Sequence, residues 1–113
     1  METVISKKIR ESIRIAFPGI RFTRLQCGMA KGLKGGLIRL SENGWPDYIG
    51  YLPNGRFFAI EVKDPDGHTN RKRELEQDSR LEDINRCGGF AIKVTSPSDA
   101  IDKITKIMES TNQ

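Results

Sequence analysis

G-W-P-D-Y-I-G-Y-L-P-N-G-R-F-F-A-I-E-V-K runs from Gly44 to Lys63 and divides into two short strands about a turn. Residues 48–52 form the first apolar run, Pro53-Asn54-Gly55 supplies turn residues, and 57–62 form the second run. Asp47 stands at the start of the first strand. Glu61 and Lys63 are two residues apart in the second, and a strand's side chains repeat every two residues, so they share a face. Antiparallel pairing across the turn sets Asp47 opposite the Glu61–Lys63 end. Two carboxylates and an amine then converge at one edge of a small sheet, which suits a hard divalent cation. Spacing alone fits a turn aspartate and a solvated hairpin face equally well. Phe57-Phe58-Ala59-Ile60 weighs against that blander reading, because it is apolar on both faces and predicts a strand buried on both sides. Charges at the end of such a strand need partners or a metal.

Downstream comes D-P-D-G-H-T-N-R-K-R, a turn-rich loop closing in the basic run Arg71, Lys72 and Arg73. Asp64 and Asp66 lack the remaining ligands of an EF-hand loop. His68, the only histidine, reads as a solvated loop residue. A helix is predicted over 70–86 with Leu75, Leu81 and Ile84 inward, ended by Gly88-Gly89. Gln77 falls near the Leu81 and Ile84 face, where a polar side chain needs a polar partner. Residues 90–94 are a strand. Ser96-Pro97-Ser98-Asp99 then opens a last helix with a capping serine, a proline at the first helical position and an acid in the first turn. Ile101, Ile104, Ile107 and Met108 form its apolar stripe.

Upstream, residues 37–40 predict a short strand leading to the Gly44 turn. The stretch 26–36, Q-C-G-M-A-K-G-L-K-G-G, lacks the G-K-[S/T] of a phosphate-binding loop and so excludes a nucleotide cofactor. It reads as a linker, or as a loop whose Lys31 and Lys34 grip a nucleic-acid backbone. Residues 20–25 form a strand with Ile20, Phe22 and Arg24 on one face, and Pro18-Gly19 stops the helix before it. That helix is predicted over 3–16, with Ile5, Ile9 and Ile13 at four-residue spacing. Glu2 joins this stripe if the helix reaches back that far; otherwise it is a terminal acid favouring the helix dipole.

A chain of 113 residues makes one domain, spanning 1–113. Its formal net charge of +4 suits a polyanionic partner. Cys27 and Cys87 fit no metal or redox spacing and read as free thiols in a reducing, cytoplasmic compartment. No signal peptide or membrane-spanning run is legible, so no membrane partner is expected. Helix, up to three strands, helix, strand, helix is a small α/β domain with a mixed sheet, because the strand after the long helix must cross over to rejoin it.

Pro46-Asp47 at a strand start followed by Glu61-Val62-Lys63 on the next strand resembles the PD-(D/E)xK nuclease superfamily. The finer pattern resembles its VRR-NUC (virus-type replication-repair nuclease) branch, in the standalone type of phages and bacteria. That pattern includes Gly44 two before the Pro-Asp, and Gly55-Arg56 before the second strand. It also has Gln77 on a helix with Gly88 about three turns later, and Glu2 with Ile5, Ile9 and Ile13 three, seven and eleven residues on. The match covers nearly the whole chain. Trp45, where the family often carries a small or basic residue, and the longer, more basic loop between Lys63 and Gln77 depart from it.

The resemblance implies a restriction-endonuclease-like αβββαβ core, with helices flanking the sheet, and a Mg²⁺- or Mn²⁺-dependent endonuclease. Asp47, Glu61 and the backbone carbonyl of Val62 would be the metal ligands. Asp47, Glu61, Lys63 and Gln77 would be the catalytic set, with Glu2 binding a second metal or tuning the first. Lys63 reads as orienting water and offsetting phosphate charge rather than as a general base, because two nearby anions keep a lysine protonated. Lys31, Lys34, Arg71, Lys72 and Arg73 would bind nucleic acid. The resemblance further implies a homodimer cutting branched DNA such as four-way (Holliday) junctions, in a bacterial or phage-infected cell. Trp45, Leu33 and Leu37 are the apolar candidates for the dimer surface. The alternatives are an inactive nucleic-acid-binding module on the same scaffold, or an RNA-cleaving relative.

Overall fold

The structure, a computed structural model, describes residues 2–25, 28–31, 36–41, 44–67 and 70–111, with backbone alone for 28–31, 37–41 and 111. The chain order is α1 (Val4–Ala16), β1 (Arg21–Arg24), β2 (Gly28–Lys31), β3 (Leu37–Ser41), β4 (Tyr48–Tyr51), β5 (Phe57–Val62), α2 (Arg71–Arg86), β6 (Phe90–Val94) and α3 (Pro97–Thr111). Four strands form the main sheet in the order β1-β4-β5-β6. β1, β4 and β5 are antiparallel neighbours, and β6 joins β5 in parallel after the α2 crossover. The expected mixed α/β core is therefore present.

The strand count differs from expectation. Residues 26–36 contain β2, and β3 pairs with β2 in a separate two-stranded sheet instead of leading directly into the main one. A strand this short and glycine-flanked takes its conformation from its partner, which local composition does not reveal.

Alternation along β5 divides the core into two layers. Phe58 and Ile60 point to the face covered by α1 and α3, where they meet Ile9, Ile13, Tyr48, Val94, Ala100 and Ile104. Each such fully buried large apolar side chain stabilises the fold by about 1.5–3 kcal/mol relative to exposure. Ala59 points to the other face and packs with Leu81, Ile84 and Ala91 beneath α2. Leu75 does not join them; it is exposed. At about 100° per residue Leu75 falls on the opposite side of the helix from Ile84, and Gln77 takes the inward position instead.

Local signals set the ends of the elements. Thr3 accepts a hydrogen bond from the Ser6 N–H at 3.1 Å and caps α1. Asn70 does the same for α2 through the Arg73 N–H at 2.8 Å, and Ser96 for α3 through the Asp99 N–H at 3.1 Å. Gly50 lets β1 approach β4, since a Cβ there would lie 1.9 Å from the Arg21 carbonyl oxygen. Among the described residues no helix is long and apolar enough to cross a membrane.

Candidate active site

The β4–β5 register pairs Tyr48 with Ile60, and the next step along the ladder sets Asp47 opposite Glu61. Tyr48 and Ile60 face α1 and α3, so Asp47 and Glu61 belong to the α2 side. Pro46 is fully buried, and Gly44 adopts φ +90°, a conformation glycine takes without strain. The turn rests on α2, where Arg80 stacks 4.4 Å above the Trp45 ring. The Asp47 carbonyl accepts the Leu25 N–H at 2.8 Å, and its Oδ2 accepts the Val62 N–H at 2.8 Å. Asp47 is thus tied to both neighbouring strands. A strand residue's N–H and C=O point the same way, so the Val62 carbonyl also faces the Asp47 side.

Glu61 is 3% exposed, and its Oε2 is buried without a hydrogen-bond partner among the described residues. Burial pushes its carboxyl up to about 8, helped by the charge of Asp47 and a side-chain hydrogen bond with it, against the pull of Lys63 and Arg73. A buried carboxylate oxygen lacking a donor is a costly arrangement for a protein alone. A divalent cation held by Asp47 and Glu61 would satisfy it.

Lys63 donates from Nζ to Gln77 Oε1 at 3.1 Å and lies 3.5 Å from Glu74 Oε1. Gln77, buried on α2, has the polar partner its place demanded. Glu74 was not anticipated. It stands three residues before Gln77 on the same helix face, and that spacing was the available signal.

Glu2 lies outside the helical stripe, because α1 starts at Val4. Arg10 donates to its two oxygens at 2.8 and 3.0 Å, and the Tyr48 hydroxyl donates to Oε2. These donors hold Glu2 below the usual carboxylate range, while burial and the Glu2 charge push the Tyr48 phenol up. Glu2 shares a cavity of about 150 Å³ with Arg24, Asp47, Tyr48, Val62 and Asp64. It reaches the rim of the site with both oxygens committed to protein donors, which suits tuning better than ligation. Among the described residues no three His, Cys, Asp or Glu side chains converge on one metal position. The donor set is two carboxylates and a carbonyl, which fits Mg²⁺ or Mn²⁺ retaining several waters.

Among the described residues, Arg71, Lys72 and Arg73 do not share one side of α2. Arg71 and Lys72 line a groove of about 790 Å³ along α2 with Leu75, Glu76, Arg80 and Arg86, whose lining does not include Asp47 or Glu61. Arg73 is exposed and near enough for its charge to act on Glu61. Lys31 ends β2 with its side chain outside the described residues; Lys34, His68, Cys27 and Leu33 lie outside them entirely, as does the Leu37 side chain. Cys87 is a free, exposed thiol. Trp45 is half-buried, with Arg80 stacked on its ring.

No protein-family model matches this chain, and no curated protein does. A solved structure described as a "VRR_NUC domain" superimposes on 91% of this chain and 97% of its own, with a TM-score of 0.58 and 19% identity. At that identity the likeness is one of fold, and in fold this chain is a VRR_NUC-type domain.

Proposed function

We infer that this protein is a metal-dependent endonuclease that hydrolyses phosphodiester bonds in DNA. One observation carries the inference: Asp47 and Glu61 meet at the ends of two neighbouring strands, and Glu61 keeps a buried oxygen without a donor among the described residues. Two carboxylates facing a polyanion oppose binding unless a cation intervenes, so a purely binding role leaves them unexplained. Asp47, Glu61 and the Val62 carbonyl would hold the cation. When bound, Mg²⁺ or Mn²⁺ supplies Lewis-acid charge for the phosphate and eases deprotonation of water.

The chain's own residues do the rest. Asp47 is oriented by Val62, and Lys63 by Gln77 and Glu74, so the ammonium enters the reaction already placed. Lys63 orients the attacking water and offsets charge on the non-bridging oxygens. Water's oxygen joins phosphorus, the P–O ester bond breaks, and the departing oxygen takes up a proton. Glu2, neutralised by Arg10, ties the start of α1 to Tyr48 beside Asp47.

The family resemblance extends this proposal to branched DNA and to a homodimer presenting two sites to a two-fold junction. The test incubates the protein and Mg²⁺ or Mn²⁺ with labelled linear, flapped, forked and four-way DNA, with Asp47→Ala as control. Cutting that needs the cation and Asp47 supports the reading; equal cutting by Asp47→Ala ends it. Sedimentation of the free protein tests the dimer.

A further inference from the structure

Arg71, Lys72 and Arg73 are consecutive in sequence, and α2 sends them to different sides. Arg80, stacked on Trp45, marks the side of the helix that faces the turn into Asp47. Arg73 is seven residues earlier, about two turns, and so occupies nearly the same side. Gln77 lies between them and reaches Lys63. α2 connects parallel strands β5 and β6 and so runs antiparallel to β5, which puts its first turn at the Lys63 end of the strand, where Glu74 meets Lys63. Arg73 is exposed there, and its charge acts on Glu61. Lys63 is engaged with Gln77 and Glu74, whereas Arg71 and Lys72 line the groove that Arg80 also borders, and Arg73 is not part of that lining.

We propose that Arg73 is a catalytic residue of this site, its guanidinium gripping the non-bridging oxygens of the phosphate that lies before Asp47 and Glu61. The inference rests on the nuclease reading and adds to it a division of labour: Arg73 acts on the reacting phosphate, Arg71 and Lys72 on the flanking backbone. A guanidinium is suited to the first task because its planar fork meets two phosphate oxygens at once, and its charge counts most as those oxygens gain charge.

Arg73→Ala and Arg73→Lys are compared with the double variant Arg71→Ala/Lys72→Ala. Single-turnover cleavage is measured at saturating DNA, and affinity by anisotropy in Ca²⁺. Arg73→Ala is expected to slow the saturated rate about 10²-fold with a much smaller loss of affinity. Arg73→Lys recovers part of that rate. The double variant shows the reverse balance, weakening binding more than it slows the saturated rate. A loss confined to affinity in Arg73→Ala overturns the proposal. A second readout needs no turnover: phenylglyoxal modification of each arginine, followed by mass spectrometry, with and without inorganic phosphate in Ca²⁺. Phosphate should protect Arg73 more than Arg71, and equal modification of Arg73 with and without phosphate also overturns the proposal. If the wild-type protein cuts no DNA, the nuclease reading fails by itself, and protection alone decides whether Arg73 contacts phosphate.

Discussion

Among the described residues Glu61 carries the sharpest physical conflict, a carboxyl buried beside a second carboxyl with one oxygen unsatisfied. Its folded-state pKa stands near 8, above the usual carboxylate value. In metal-free protein the folded state therefore keeps a proton that the unfolded chain has already lost. Stability from this group is fully present below about pH 4.5 and falls away as pH rises toward 8. Calorimetry in EDTA should show the melting temperature declining across that window, and Glu61→Gln should flatten the decline. An equally steep decline in the variant would show that other groups cause it. Activity makes a separate prediction: Asp47→Ala and Glu61→Ala should each lower cleavage by at least about 10²-fold while DNA binding in Ca²⁺ persists. Asp47, Glu61, Lys63 and Gln77 were legible because a period of two and a glutamine on an apolar helix face are local patterns. The Arg10–Glu2–Tyr48 cluster was not, since it joins residues 46 positions apart and depends on how α1 docks.

α2 shows what periodicity captures and where it misleads. Leu81 and Ile84 face inward as their spacing predicts, whereas Leu75, apolar like them, is out of phase with that face. The consequence is measurable by denaturant unfolding. Leu81→Ala should destabilise by about 2–5 kcal/mol, and Leu75→Ala by no more than about 0.5 kcal/mol. Comparable losses would mean that Leu75 is covered in solution, as a dimer contact would cover it. The basic residues that line the groove along the same helix predict an electrostatic effect: Arg71→Ala/Lys72→Ala should weaken DNA binding to a similar extent across sequences and flatten its dependence on salt by about two units of slope. An unchanged slope marks both as solvated surface. β3 falls where residues 37–40 predict a strand, but β2 and the pairing of the two escape a sequence reading for a different reason. Their pairing with each other, apart from the main sheet, is a tertiary choice that short strands do not encode.

Across the whole molecule, stability and chemistry lie on opposite faces of one sheet. The large apolar cluster joins α1 and α3 to the sheet, while α2 rests on the smaller set of Ala59, Leu81, Ile84 and Ala91. The candidate site stands at the edge of that smaller layer, where repulsion between the carboxyls on β4 and β5 keeps a proton on Glu61. A cation held between Asp47 and Glu61 would turn this repulsion into a link between two strands and should stabilise the protein as a whole. At a free Mn²⁺ concentration 100 times its dissociation constant the gain is about 2.7 kcal/mol. Cation and proton compete for Glu61, so the apparent Mn²⁺ affinity should rise with pH up to about 8 and level off above it. Thermal unfolding in a Mn²⁺ series, at several pH values, reads both effects without requiring any substrate. Glu61→Gln and Asp47→Asn should lose the Mn²⁺-dependent shift. Wild-type protein that melts at the same temperature with and without Mn²⁺ at pH 8 would show that the carboxylate pair holds no cation, and with it the proposed chemistry would lose its basis.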